Sequence, residues 1–363
     1  QKTSIFTRGS ESNHTLVLLN GIAINDQSVT DGMHDFGQDF LQTIQQIDIY
    51  KGSSGAHFGP SAIGGAINII TDIDYTNMLT TYIYNDQNNL ISGNYTKITS
   101  NDLHLNFKAS NLRSKTNSAK SQGSEEDGSK NYQTNLNLKK WINDNLKFKS
   151  TLYSRRTKSD YDYSETKENG YNVDNKMHSI QSSLEHISKN SEDFLIFHYH
   201  KYDRDYEDGG YLDEYKSESL VAKAERKVRY ADRISFGYGS EYRYDWGAFE
   251  NRGSFNQSTK GHMKDLSVFA NTGFKFTKNS ILSIYGRLDD HNTTGGNKTY
   301  KLNLTKEINK FKFGTTHSTG LRNPSLYELY GSNNYGYKCH SGLDPEKSKT
   351  NELYIEYNFL KNL

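Results

Sequence analysis

The sequence predicts a mostly β protein in two parts: a compact α+β unit over residues 1–75, then the strands of a large antiparallel transmembrane β-barrel over residues 76–363. Three observations predict it. The chain of 363 residues holds 27 Tyr and 17 Phe but only 3 Pro. Disordered chains are poor in aromatics and rich in proline, so the mean hydropathy of −0.88 fits a polar-lined barrel rather than disorder. Beyond residue 75, apolar and polar residues alternate with period two in segments of roughly ten residues. Tight turns and long polar loops connect those segments, the asymmetry of outer-membrane barrels.

In the first part, Leu16 to Leu19 is an apolar run stopped by Asn20-Gly21, a strong turn signal. Ile22, Ile24 and the Asn25-Asp26 pair follow. Phe36 to Ile44 reads as a short helix, and Gln46 to Lys51 as a strand with Ile47 and Ile49 on one face. Gly52, Gly55, Gly59, Gly64 and Gly65 punctuate a loop ahead of a second apolar strand, Ala66 to Ile70.

In the second part, Leu103, Leu105, Phe107 and Ala109 alternate with His104, Asn106, Lys108 and Ser110. Val268, Ala270, Thr272, Phe274 and Phe276, then Leu353, Ile355, Tyr357 and Phe359, repeat the pattern. About 14 such strands fit between residue 76 and the end. Asn143-Asp144-Asn145, Asn190-Ser191-Glu192 and Lys278-Asn279 are tight turns, while 113–130, 157–175, 203–215, 246–261 and 331–348 read as longer loops. A soluble multi-sheet β-protein also alternates, but strand length and loop asymmetry favour the barrel.

Charge and motif counts exclude other classes. With 44 Lys and Arg against 43 Asp and Glu, the net charge of +1 is not that of a strongly basic nucleic-acid binder. The single Cys339 excludes a disulfide framework or a multi-cysteine metal site. No apolar run approaches the ~20 residues of a membrane-spanning helix, so a membrane reading requires strands. No His-Glu-x-x-His, Gly-x-Ser-x-Gly or Gly-x-Gly-x-x-Gly is present, and the chain is not read as an enzyme.

Four segments carry a resemblance. They are Phe6 to Gly9, Asn13 to Gly21, Ile44 to Gly52 and Phe58 to Thr71. Together they resemble the plug domain of TonB-dependent outer-membrane receptors, most of all those for vitamin B12 (cobalamin) and siderophores. Arg322 to Gly331 and Leu343 to Lys349 look like that family's late-barrel signature. The resemblance implies a plug inside a barrel of 22 strands. On it the chain is expected to begin inside the plug, without signal peptide or TonB-contact segment, and to stop about eight strands short. Such an open barrel would leave strand edges unpaired in lipid.

The resemblance also suggests residue roles. Arg8 and Lys51 stand where family arginines lock the plug to barrel glutamates, with Glu352 as the partner. Lys51 departs from the usual Arg and lacks its bidentate fork. Gly52, Gly59, Gly64 and Gly65 are expected as plug-core glycines. A phosphate loop is rejected, because Gly65-Ala66 stands where Lys-Ser/Thr is needed. Tyr161, Tyr163, Tyr206 and Tyr211 are candidates to touch a ligand from the loops. Asp203, Asp205, Glu207 and Asp208 form an acidic stretch open to a calcium reading, although the Gly of the EF-hand template is missing and a solvated loop is preferred. His198 and His200 share one strand face, too few ligands to argue a metal.

The function implied is TonB-dependent uptake of a scarce large ligand, an iron–siderophore or cobalamin-like complex, across the outer membrane of a Gram-negative bacterium. Partners would be TonB, the extracellular metal complex and outer-membrane lipid, with no nucleic acid and no resident cofactor. A passive porin-like channel and a secreted soluble β-rich binding protein are the alternatives.

Overall fold

The computed structural model describes residues 3–39, 44–71, 78–84, 88–98, 103–117, 126–161, 171–252, 256–331 and 339–357. They form two sheets. The first has four strands, β1 (Thr15–Leu19), β2 (Ile22–Ala23), β3 (Gln46–Lys51) and β4 (Gly65–Ile70), in the order β2-β1-β4-β3. β1 pairs parallel with β4 and antiparallel with β2. All five β1 residues are buried, which is why it reads as a continuous apolar run rather than an alternation. β3 is an edge strand, and its Ile47 and Ile49 stay exposed. A short helix, α1 (Gly55–Phe58), packs against the barrel wall.

Of the stretch read as a helix, Phe36–Ile44, residues 40–43 lie outside the described residues, and its opening is a single 3-10 turn, Phe36–Gln38; Asp35 accepts a hydrogen bond from the Gly37 N–H at 3.0 Å. Gly37 disfavours helix, and Asp39 turns outward to the barrel wall instead of continuing the spiral.

The second sheet has fourteen antiparallel strands in strict sequence order, from β5 (Met78–Tyr84) to β18 (Glu346–Tyr357). Between them run β6 (Asn88–Ile98), β7 (Leu103–Asn117), β8 (Glu126–Trp141), β9 (Leu146–Asp160), β10 (Tyr171–Ile187), β11 (Ser191–Asp208), β12 (Tyr211–Tyr230), β13 (Ile234–Arg252), β14 (Gln257–Thr277), β15 (Ser280–His291), β16 (Gly295–Ile308) and β17 (Phe311–Arg322). Many are longer than expected, because the alternation continues into stretches read as loops. The clearest correction is 203–215: β11 and β12 run through it and turn on Gly209-Gly210, whose φ of +57° and +100° suit a two-residue hairpin.

The alternation separates two faces. On β14, Asp265 and Ser267 are buried while Leu266 and Val268 are exposed. The inward face meets the four-stranded plug sheet. Val17, Leu19, Ile24 and Ile69 of the plug share one apolar cluster with Tyr153, Met177 and Tyr202 of the wall. Strand connections at one end of the wall are turns such as 231–233 and 278–279; the opposite end, where β9 ends and β10 begins and where β17 ends and β18 begins, is the loop end.

One seam in the wall is incomplete. β16 and β17 pair only from Ile308–Phe311 to Lys301–Ser318. Toward the loop end, β16 keeps its ladder with β15 as far as Gly295, and β17 keeps its ladder with β18 as far as Arg322. The two strands diverge. The Thr319 hydroxyl accepts from the Tyr300 N–H at 2.9 Å, and the plug's Ser61 N–H donates to the Leu321 carbonyl at 2.7 Å.

Candidate functional site

A pocket of about 490 Å³ lies at the loop end, between the plug segment 26–38 and strands β8 to β12. It exists because the plug chain leaves β2 without forming a helix, so its polar residues face the wall. Asp26 accepts from the Ser28 N–H at 2.8 Å and from the Ser217 hydroxyl of β12 at 3.0 Å.

Two buried arginines of the wall reach the plug here. Arg155 of β9, with a side chain 2% exposed, pairs with Asp39, whose other oxygen lies 2.5 Å from His34 Nε2. Burial pushes the Asp39 carboxyl up, but the charges of Arg155 and His34 outweigh it and hold the group below the ordinary carboxylate range. Arg204 of β11 lies 3.4 Å from Asp26 and donates to the Ser28 carbonyl at 2.8 Å. Its guanidinium stands over the rings of Tyr206 and Tyr215, at 5.6 and 5.2 Å. Tyr202 Oη donates to the Ile24 carbonyl at 2.7 Å.

The pocket also holds polar atoms with nothing to bind. The buried Nε of Arg155, Nε of Arg204 and Oδ1 of Asn175 have no hydrogen-bond partner among the described residues. A buried polar atom left alone costs about 1–3 kcal/mol, so such atoms at a cavity wall suit a polar guest.

Of the tyrosines singled out from sequence, Tyr161 and Tyr206 line this pocket. Tyr211 is 51% exposed and stands by the hairpin turn outside the pocket lining. Tyr163 falls outside the described residues. Arg155, Arg204 and Tyr202 of the lining are not among the residues that the sequence singles out, because a period-two pattern ranks no lumenal residue above another, whereas Tyr327 lies within the late-barrel segment that carries the resemblance.

Arg8 forms its ion pair with Glu352 of β18. At 49% and 13% exposure, a pair of this kind contributes about 0–1 kcal/mol. Lys51 needs correction: it borders the same cavity but has no ion-pair partner among the described residues. Arg8 already occupies Glu352, and Lys51 ends the exposed edge strand β3. The four glycines mark close approaches. A Cβ on Gly52 would overlap the Glu352 carboxylate, and one on Gly65, at φ +144°, the Tyr50 carbonyl. Gly59 lies against Arg287 of β15, and Gly64 against Thr7 and Ser10.

The acidic stretch is a strand face. Asp203 and Asp205 point away from the plug, with Lys201 3.2 Å from Asp203 and Lys176 3.2 Å from Asp205. Lysine charges and solvent balance them, and no group of three metal-ligating side chains occurs among the described residues. His198 and His200 are buried, with ring nitrogens 3.1 Å apart. Arg322 of the late-barrel segment pairs with Glu346 and donates to Glu328 and the Asp31 carbonyl, each at 2.8 Å. It ties α2 (Leu326–Tyr330) to the plug apex.

A strand wall wrapped around a small mixed sheet, with a polar pocket where the two meet, defines a plugged barrel of the outer-membrane kind. Comparison with known proteins agrees. Residues 1–66 match the TonB-dependent Receptor Plug Domain, and residues 67–363 match the family described as TonB dependent receptor-like, beta-barrel. The chain belongs to the TonB-dependent receptor family. It is 24% identical over 372 residues to the Vitamin B12 transporter BtuB of Photobacterium profundum, covering 98% of this chain and 58% of the relative. Its fold is similar to that of the siderophore receptor PirA from Acinetobacter baumannii, with a TM-score of 0.81, 18% identity, 97% of this chain covered and 61% of the other. A mutant of the ferric enterobactin receptor PfeA from Pseudomonas aeruginosa gives 0.80, 16%, 97% and 62%. The chain thus spans about six-tenths of the length of these proteins. The proteins it resembles are transporters and receptors rather than enzymes.

Proposed function

We propose that the protein takes up a scarce, large extracellular metal complex, of the iron–siderophore or cobalamin kind, across the outer membrane of a Gram-negative bacterium, with TonB supplying the work. One observation carries this reading. Two wall arginines at the apical pocket are seated on plug carboxylates and still hold unused Nε–H donors.

A ligand rich in oxygen acceptors that enters the pocket competes with Asp26 and Asp39 for Arg204 and Arg155. Its binding energy then differs between plug arrangements, and a ligand shifts a conformational equilibrium only by such a difference. The faces of Tyr161, Tyr206 and Tyr215 supply apolar contact and hydroxyl donors on a wall already ordered by packing.

A passive channel fits poorly, because the plug sheet and its polar ties occupy the lumen. A secreted soluble protein fits poorly too, because Leu266, Leu288, Leu302, Leu304, Leu353 and Ile355 are exposed on the outward face. The test is growth on iron–siderophores or corrinoids as the sole source, with and without TonB. One ligand class is expected to support TonB-dependent growth, and Arg204→Ala is expected to weaken ligand binding about tenfold or more. Constitutive leak of small solutes through the reconstituted protein would overturn the reading.

A further inference from the structure

The diverging seam between β16 and β17 opens on the outer face, away from the apical pocket. A groove of about 1160 Å³ lies there. Its floor is apolar: Leu266, Val268 and Leu288 are each about half exposed, and Leu321 is 2% exposed at its deep end. Three lysines stand along it. Register places Lys298 opposite Leu288, Lys347 opposite Leu321 and Lys349 opposite Thr319, all on the outward face. All three are exposed, and none has a carboxylate within ion-pair reach among the described residues. Among the described residues of the lining, Asp290 is the one counter-charge on that face, since the other acid, Asp289, turns inward to Arg287.

The groove sits at the loop end of the wall, continuous with the exposed apolar residues Tyr300, Leu302 and Leu304 of β16. Unpaired ammonium groups above an apolar floor, at the rim of a lipid-facing belt, complement one kind of molecule: a lipid carrying negative charge at its head. A soluble anion would not need the floor, and a neutral lipid would not need the lysines.

We infer that this groove binds a phosphorylated membrane lipid, its phosphates on Lys298, Lys347 and Lys349 and an acyl chain along Leu266, Val268 and Leu288. The inference rests on the reading of the barrel as membrane-spanning. Occupancy would fill the gap where β16 and β17 part, leaving the seam sealed by lipid outside and by the plug's Ser61 within.

The test uses protein extracted in mild detergent from the outer membranes of cells that make it, with lipid phosphorus measured per polypeptide. Three forms are compared: the unaltered protein, the triple variant Lys298→Gln, Lys347→Gln, Lys349→Gln, and a control, Lys306→Gln with Lys310→Gln, at the turn end of the wall. The triple variant is expected to lose at least about fivefold of the retained phosphorus, and the control to keep it. Equal retention in all three forms overturns the inference, as does equal loss in the control. A second measurement covers a triple variant that fails to accumulate. In the unaltered protein, the three lysines should be protected from a water-soluble amine reagent in bilayers containing phosphorylated lipid, relative to bilayers of neutral lipid. Equal labelling overturns the inference, and so does the same protection from inorganic phosphate alone. A protein absent from the membrane fraction overturns the uptake reading and this inference together, whereas a membrane protein indifferent to the lysines overturns this inference only.

Discussion

Arg155 and Arg156 are adjacent, carry the same charge and end in opposite environments. Period two turns Arg155 to the lumen, where it holds Asp39 of the plug, and Arg156 outward, where it is 55% exposed beside Asp174. Arg155→Ala strands a buried carboxylate and is expected to weaken plug seating by about 3–5 kcal/mol, read as protease cleavage of the plug at lower denaturant. Arg156→Ala is expected to change it by less than about 1 kcal/mol. Equal effects of the two substitutions would refute the assignment. The same pair sets a pH dependence. Asp39 has a depressed pKa in the folded protein, so its contribution is present above the ordinary carboxylate value near 3.8 and is lost as pH falls from there through the lower folded value. Plug release on acidification below about pH 4 should therefore be steeper than in Asp39→Asn.

At the scale of elements, the β11–β12 hairpin decides two matters that composition leaves open. Its acidic residues look like a loop because Asp and Glu are poor strand formers, yet Tyr202, Arg204 and Tyr206 alternate with them and pack inward. Burial of that inner face overrides local propensity. Since Lys176 and Lys201 stand beside the outward carboxylates, the melting temperature is expected to be the same with added calcium or with a chelator. A calcium-dependent rise of several degrees would restore a metal site. The 3-10 turn where the helix was expected to begin, Phe36–Gln38, has the converse cause: its polar groups find partners on the barrel wall. Asn131 donates to the Gln38 carbonyl at 2.9 Å.

Across the whole molecule, plug and barrel meet through a mostly polar surface with one apolar cluster. Thr71 is representative, since its carbonyl accepts from Lys108 at 3.1 Å and from Asn137 at 3.0 Å. Individual ties of this sort contribute about 0.5–1.5 kcal/mol, and many short ones can be exchanged in steps. The central wall strands are instead bound by continuous ladders on both sides, as β12 is by β11 and β13. Amides of β1 and β4 should accordingly exchange with solvent faster than those of β11 to β13, measured by hydrogen exchange in detergent. Slower exchange in the plug would mean that its seating is the more stable unit.

The sequence by itself determined the order of parts. Fourteen alternating strands, the tight turns and the apolar run Leu16 to Leu19 are local signals, written within a few residues of one another. The plug motifs and Arg8–Glu352 were legible because a resemblance carried them. Tertiary structure decided the rest. Which of two neighbouring arginines faces the plug, which tyrosines share a pocket, and where β16 leaves β17 all depend on tertiary contacts that the alternation along a strand does not encode. Arg155 and Asp39 are 116 positions apart and Arg204 and Asp26 are 178, and no local period encodes such a pairing. Closing the wall around the plug brings them together, and burial then makes those few charges count for more than the many they resemble.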